Sequence, residues 1–352
     1  MRWSITSRSR RARRWLAVLP AALLGWSVIT PASAASGPEP GSTTTLTYGT
    51  GDQAHDYIVY TPAGWRPTVA MPVMVVVHGC QTSADQQMRA SLFNPLADQR
   101  GFIVVYPDTN RIENEQPGPM ARCWQFPLPS NWRRDSGDLA AIAGITRSVT
   151  TAWGADRDRV YVAGMSAGGF TTSNLSAAYP DLYAASVVAS AGAYADGTCL
   201  AQNLLVMPVS LSSSLARSQM GARARVVPRM VIGGDADLGI PRTCADKALQ
   251  QSLRTNNLVL SRSQYGPIEL LPHLTETRQV PGGRAYTVAD YQDANGCVVG
   301  RRIVVRGMGH YWSGGSSDPR LASFTDPTGP NGAVAAWDFL SRYTLSNTAR
   351  SC

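Results

Sequence analysis

The chain has 352 residues, a net charge of +8 and six cysteines. Six basic residues, Arg2, Arg8, Arg10, Arg11, Arg13 and Arg14, precede Ala34 with no acid among them, leaving 26 basic against 24 acidic residues, a net +2, in the remainder. That near-balance gives no reason to invoke nucleic acid or an anionic membrane as a partner, and about 318 residues can bury a large core without disulfides.

The first segment carries a basic start, the apolar run WLAVLPAALLGWSVI and the small-x-small triplet Ala32-Ser33-Ala34. This layout predicts a secretory signal peptide over residues 1–34, cleaved near Ala34, too short and wrongly flanked for a membrane anchor. Arg13-Arg14 leaves the twin-arginine route open beside the general one. Export agrees with an even cysteine count.

Two strand-like stretches follow, TTTLTYG and HDYIVYTP. MPVMVVVHG is then a continuous β-branched run, as suits a strand buried on both faces of a parallel sheet. GFIVVYPD, RVYVAG, ASVVASAG, RMVIGG and RRIVVRG repeat it. Helix-like segments lie between: SADQQMRASLFNPLADQR, DSGDLAAIAGITRSVTTAW, AGGFTTSNLSAAY and CADKALQQSLRTNN, with NGAVAAWDFLSRYTLS closing the chain. TRQVPGGRAYTVADY predicts a hairpin inserted before the last strand. Residues 110–132, rich in Pro, Asn and Trp, read as a loop. The alternation predicts an α/β fold with a mostly parallel central sheet of about eight strands and helices on both faces. Residues 35–352 are expected to form one catalytic domain.

Between RVYVAG and its following helix stands GMSAGGF, a G-x-S-x-G pentapeptide around Ser166. Strand, sharp turn and helix are the context in which such a serine becomes an exposed nucleophile. No G-K-[ST] or G-x-G-x-x-G accompanies it, so a phosphate cradle is disfavoured. A serine hydroxyl needs a base, and on this type of sheet the acid and then the histidine follow the serine. His55 and His78 precede it. His273 lies in a connection, whereas His310, in GMGHYWSGG, stands directly after the last strand at the carboxyl edge of the sheet, where α/β ligands bind. GGDADLGIP offers Asp235 and Asp237 after a strand, and position alone does not separate them. The amide of Ala167 and one from the loop His78-Gly79-Cys80 would form the oxyanion hole.

The stretches VVVHGCQTSADQ, ARCWQF, DLAAIAGITR, DRVYVAGMSAGG, YPDLYAA, GDADLGIP, GMGHYWSGG and FTDPTGPNG, in this order and spacing, resemble the polyhydroxybutyrate-depolymerase family of esterases, grouped in carbohydrate esterase family 1 with feruloyl and acetylxylan esterases. The resemblance spans roughly residues 52–345. It implies an α/β-hydrolase fold, Ser166 as nucleophile, His310 as base, Asp237 rather than Asp235 as the acid, and the amides of Cys80 and Ala167 as oxyanion donors. It implies no metal or organic cofactor, and as substrate a hydroxyalkanoate polyester or its oligomers, or a feruloyl or acetyl ester of plant polysaccharide. GGDADLGI, QFPLPSNW and AGAYADG depart from the family's usual loops. The last two face the site and bear on substrate specificity. An exported binding protein without catalysis, or a serine peptidase on the same fold, is the competing expectation.

Strand-edge topology then orders the cysteines. Cys80 and Cys123 follow successive core strands, and Cys199 and Cys244 follow two others, all at the carboxyl edge. Cys297 precedes the last strand, and the closing helix returns Cys352 to that amino edge. Bridges span only about 7 Å between Cα atoms, so Cys297–Cys352 is expected at the amino edge and Cys80–Cys123 with Cys199–Cys244 at the carboxyl edge, where swaps among those four cysteines stay open.

Overall fold

The β-branched runs become strands with no exposed residue. In the computed structural model, which describes residues 38–109, 121–200 and 207–346, β3 (Val73–Val77), β4 (Ile103–Pro107), β5 (Val160–Met165) and β6 (Ala185–Ala189) are buried throughout. With β7 (Arg229–Gly234) and β10 (Val298–Val305) they form a six-stranded parallel centre in the order β4-β3-β5-β6-β7-β10. Antiparallel strands close both sides: β1 (Ser42–Tyr48) and β2 (His55–Thr61) beyond β4, and β9 (Ala285–Gln292) and β8 (Leu274–Gln279) beyond β10. The outer β1 alternates half-buried and exposed residues, as a one-sided edge strand should.

The sheet thus has ten strands rather than about eight. The expected hairpin before the last strand is β8 with β9, and its second strand pairs with β10 from Val298 to Val305 and so extends the sheet.

Successive side chains of a strand point to opposite faces, and this builds two cores. Val73, Val75 and Val77 belong to the core that also holds Leu139 of α3 (Gly137–Ala152), Phe170 of α4 (Ala167–Ala178) and Leu253 of α6 (Arg242–Ser261). Met74 and Val76 belong to the core on the other face, with Leu96 of α2 (Phe93–Arg100) and Phe339 of α7 (Gly332–Leu340).

The segment 83–100, expected as one helix, is two. α1 (Ala84–Ser91) stops at Leu92, which takes φ 61°, and α2 restarts at Phe93. Pro95 is the reason. Inside a continuous helix it would remove a hydrogen bond and clash one turn back, whereas in the first turn of α2 its missing N–H costs nothing. A helix that was not expected, α5 (Val209–Met220), packs on α6. Its serine-rich sequence has little intrinsic helix preference. Buried Ser212 Oγ instead donates to Tyr194 O at 2.7 Å, and Thr255 Oγ1 donates to Ser213 O at 3.2 Å, so tertiary contacts hold the helix. A short two-stranded sheet, β11 (Trp312–Ser313) with β12 (Thr325–Asp326), was also not anticipated.

Cys80–Cys123 and Cys199–Cys244 are bridged as expected. Cys297 is buried immediately before β10. Its expected pairing with Cys352, the signal peptide over 1–34 and residues 110–120 of the expected loop lie outside the described residues. Among the described residues no helix is long and apolar enough to cross a membrane.

Candidate active site

Ser166 joins β5 to α4 with φ 55° and ψ −124°, a conformation an L-residue adopts only under constraint. The flanking glycines supply that constraint. A Cβ on Gly164 would stand 2.3 Å from Gly168 O, and one on Gly168 would stand 2.1 Å from Val77 O. Only two bare α-carbons let α4 start this close to β5 and β3. Gly79, at the end of β3, approaches Ser166 from the other side, since its Cβ would lie 3.2 Å from that of Ser166.

The loops after β7 and β10 run side by side. Asp235 N donates to Val305 O at 3.2 Å, and Ala236 N to Met308 O at 3.1 Å. Asp235 Oδ1 accepts from Gly307 N at 2.6 Å, so this carboxylate fastens the two loops together. Asp237 turns the other way. Its Oδ1 accepts from Gly239 N at 2.9 Å and Ile240 N at 2.8 Å, and its Oδ2 lies 2.8 Å from His310 Nδ1. The Asp237 side chain is 1% exposed and that of His310 is 32% exposed. Burial alone would raise the Asp237 pKa. The His310 hydrogen bond and charge, with the Ile240 amide and Ser190, outweigh it and hold the carboxyl below its usual value. His310 therefore meets a charged, fixed acceptor on one ring nitrogen and presents the other to the pocket.

Ser166, His310, Gly79, Cys80 and Ala167 line one pocket of about 440 Å³. Its walls are mostly apolar, with Phe126, Phe170, Met165, Ile240, Trp312 and Phe324, and its polar groups include Gln86, Gln87 and Ser323. The Ala167 amide lies in the first turn of α4, where N–H groups have no intrahelical acceptor. The Gln81 amide is taken by Ala121 O at 2.8 Å.

His78 has a structural place. Burial lowers its pKa, so it is neutral. Its Nδ1 lies 2.7 Å from Gly79 O, and its Nε2 accepts from Thr109 N at 3.4 Å. Thr82 Oγ1 donates to the same Gly79 carbonyl at 2.8 Å. In a planar trans peptide the N–H points opposite to the C=O. The two tethers on Gly79 O thus fix the direction of the Cys80 N–H. Trp124 Nε1 donates to His78 O at 3.1 Å, and the Cys80–Cys123 bridge closes the same loop. Of the other histidines, His55 Nδ1 sits 3.0 Å from Asp108 O, and His273 is exposed beside Glu269.

The supporting residues Thr82 and Trp124 were not anticipated. Thr82, three residues after Gly79, carries a local signal for a hydroxyl-capped turn. Trp124, Ser323 and Phe324 reach the site from distant loops and carry none. Among the described residues no group of three His, Cys, Asp or Glu side chains could hold a metal ion.

A ten-stranded, mostly parallel sheet with helices on both faces, a serine elbow between strand and helix and a carboxylate-bound histidine at the same edge is the α/β-hydrolase fold. A family model described as esterase PHB depolymerase matches residues 55–265, and the chain belongs to that family. It is 28% identical over 240 residues to poly(3-hydroxyalkanoate) depolymerase C of Paucimonas lemoignei, covering 68% of this chain and 54% of that protein. It is 28% identical over 194 residues to feruloyl esterase B of Thermothelomyces thermophilus, covering 51% of this chain and 64% of that one. The matches thus span between about half and two thirds of these relatives. An acetyl xylan esterase structure from Aspergillus awamori superposes with a TM-score of 0.63 at 18% identity, covering 86% of this chain and 99% of that one, and so shares the fold.

Proposed function

We propose that the protein is a serine ester hydrolase that works through an acyl-enzyme. Ser166 Oγ attacks the ester carbonyl while His310 Nε2 takes its proton, and Asp237 holds the imidazole in the required tautomer and stabilises the imidazolium. The amides of Cys80 and Ala167 donate to the oxyanion. His310 returns the proton to the departing alcohol, leaving acyl-Ser166. Water then attacks with His310 again as base, and the acid leaves. The observation that carries this reading is the 2.8 Å contact of Asp237 with His310 in a pocket that also holds Ser166 at positive φ.

The substrate is a hydroxyalkanoate polyester or oligomer, or a feruloyl or acetyl ester of plant polysaccharide. The names of the relatives and the largely apolar pocket walls support these classes. We further propose that residues 1–34 direct export and that residues 35–352 form one catalytic domain. The two disulfides support an oxidising compartment. The test is a panel of hydroxybutyrate oligomers, methyl ferulate and acetylated xylan, with a p-nitrophenyl ester beside a chromogenic amide. Turnover of the amide alone assigns a peptidase, and turnover of nothing in the panel assigns a binding protein. Either result overturns the proposal.

A further inference from the structure

Among the described residues β8 is a free edge of the ten-stranded sheet, and all six of its residues are exposed. An edge strand carries unpaired amide and carbonyl groups that can template a further strand. The ladder fixes which groups these are. Val280 N donates to Arg284 O at 3.0 Å across the hairpin. Hydrogen-bonded pairs recur at every second residue of an antiparallel ladder. In the observed register Arg278 with Tyr286 and Glu276 with Val288 are therefore the bonded pairs. The backbone groups of Thr275, Thr277 and Gln279 point away from the molecule. The parity holds on β9 too, where Ala285 O is turned to β10 and accepts from Arg306 N at 2.9 Å.

Residues 274–280, LTETRQV, are arranged symmetrically in character about Thr277: apolar, polar, acid, Thr, base, polar, apolar. Two such strands running antiparallel about a two-fold axis at Thr277 put Thr277 opposite Thr277, Thr275 opposite Gln279, Glu276 opposite Arg278 and Leu274 opposite Val280. The residues with outward backbone groups then fall at the hydrogen-bonded positions. Every acid meets a base, and each end meets an apolar partner. Within one chain Glu276 and Arg278 already ion-pair at 2.6 Å, so both lie on one face and can exchange partners across the axis. A parallel pairing in register would oppose Glu276 to Glu276. Charges usually protect an edge strand, but here their order makes the edge complementary to itself, as an isologous interface requires.

We propose that the protein self-associates as a two-fold dimer through antiparallel pairing of β8 about Thr277. The contact is small, so the association falls in the micromolar range. Sedimentation velocity from about 1 to about 200 µM reads it directly. Wild type should pass from monomer to dimer over that range. Glu276→Arg and Arg278→Glu should each weaken the dimer at least about tenfold, because like charges then face each other. An equimolar mixture of these two variants should dimerise again, since the two arginines of one chain face the two glutamates of the other. Thr277→Pro removes an outward N–H while sparing the ladder with β9, and it should abolish association. Melting temperature and turnover of a short ester, both near wild type, report that each variant is folded. A wild type that stays monomeric at the highest concentration overturns the proposal. So does a dimer that survives Thr277→Pro, or a mixture of the two reversals that stays monomeric.

Discussion

Replacing Asp237 and Asp235 separately by Asn distinguishes two carboxylates that stand two residues apart and do different work. In Asp237 one oxygen accepts from the Gly239 and Ile240 amides and the other faces His310 Nδ1. Asn keeps the shape, but its carbonyl oxygen takes the two amides and its NH2 faces Nδ1. Nδ1 must then accept, the ring proton moves to Nε2, and the atom that should deprotonate Ser166 is blocked. The expected loss in kcat is ~10²–10⁴-fold, or about 3–5.5 kcal/mol of transition-state stabilisation at 1.36 kcal/mol per decade. Asp235 only accepts from Gly307 N, and Asn can accept there too, so its loss should stay below about tenfold. Steady-state hydrolysis of p-nitrophenyl butyrate, with a melting curve for each variant, gives the ranking. A second readout follows from protonation. The Asp237 pKa is lowered on folding, so its carboxylate stabilises the fold above the unfolded pKa, and that stability is lost as pH falls through the folded pKa. The stability gap between wild type and Asp237→Asn should therefore shrink in acid. A folded Asp237→Asn with more than a tenth of wild-type kcat, or Asp235→Asn as the worse of the two, would refute the reasoning.

The parts of this molecule legible in the sequence are those set by local chemistry. A run such as VMVVV has one stable destination, a strand covered on both faces, and the glycines around Ser166 mark an approach too close for any Cβ. Knowing that the elbow and GMGH both follow parallel strands is enough to bring them to one edge. What could not be read depends on side chains meeting across the fold. GGDADLG offers two acids, and only their opposite directions at the end of β7 separate the loop fastener from the partner of His310. The serine-rich α5 lacks a helical signal because its helicity comes from bonds to Tyr194 and α6. The division at Leu92 was foreshadowed by Pro95, a local cue overridden by the longer helical pattern around it. The extent of the sheet was undercounted because the Pro-Gly-Gly turn identifies a hairpin but not which existing strand it joins.

Ser166→Ala should keep the fold and lower ester turnover at least ~10³-fold; a folded variant with more than a tenth of the activity removes Ser166 from the mechanism. Gly168→Ala would place a methyl 2.1 Å from Val77 O, a clash expected to cost several kcal/mol, so a melting temperature within a degree of wild type would show that α4 is not pinned there. Thr82→Val loses one of the two tethers on the Gly79 carbonyl, which should lower kcat about tenfold with KM little changed, and Thr82→Ser should restore it. Lys247, the chain's single lysine, pairs with Asp196 at 2.5 Å, and both side chains are buried. Cys244, one helical turn before Lys247, is bridged to Cys199, three residues after Asp196. An ion pair and a disulfide thus tie α6 to the same loop. Lys247→Met leaves a buried carboxylate without its cation and should cost about 3–5 kcal/mol, whereas Lys247→Met with Asp196→Leu removes both charges and should recover most of that loss. Urea unfolding of both variants decides the matter: a single substitution no more costly than the double one would mean that the disulfide alone holds the loop to α6.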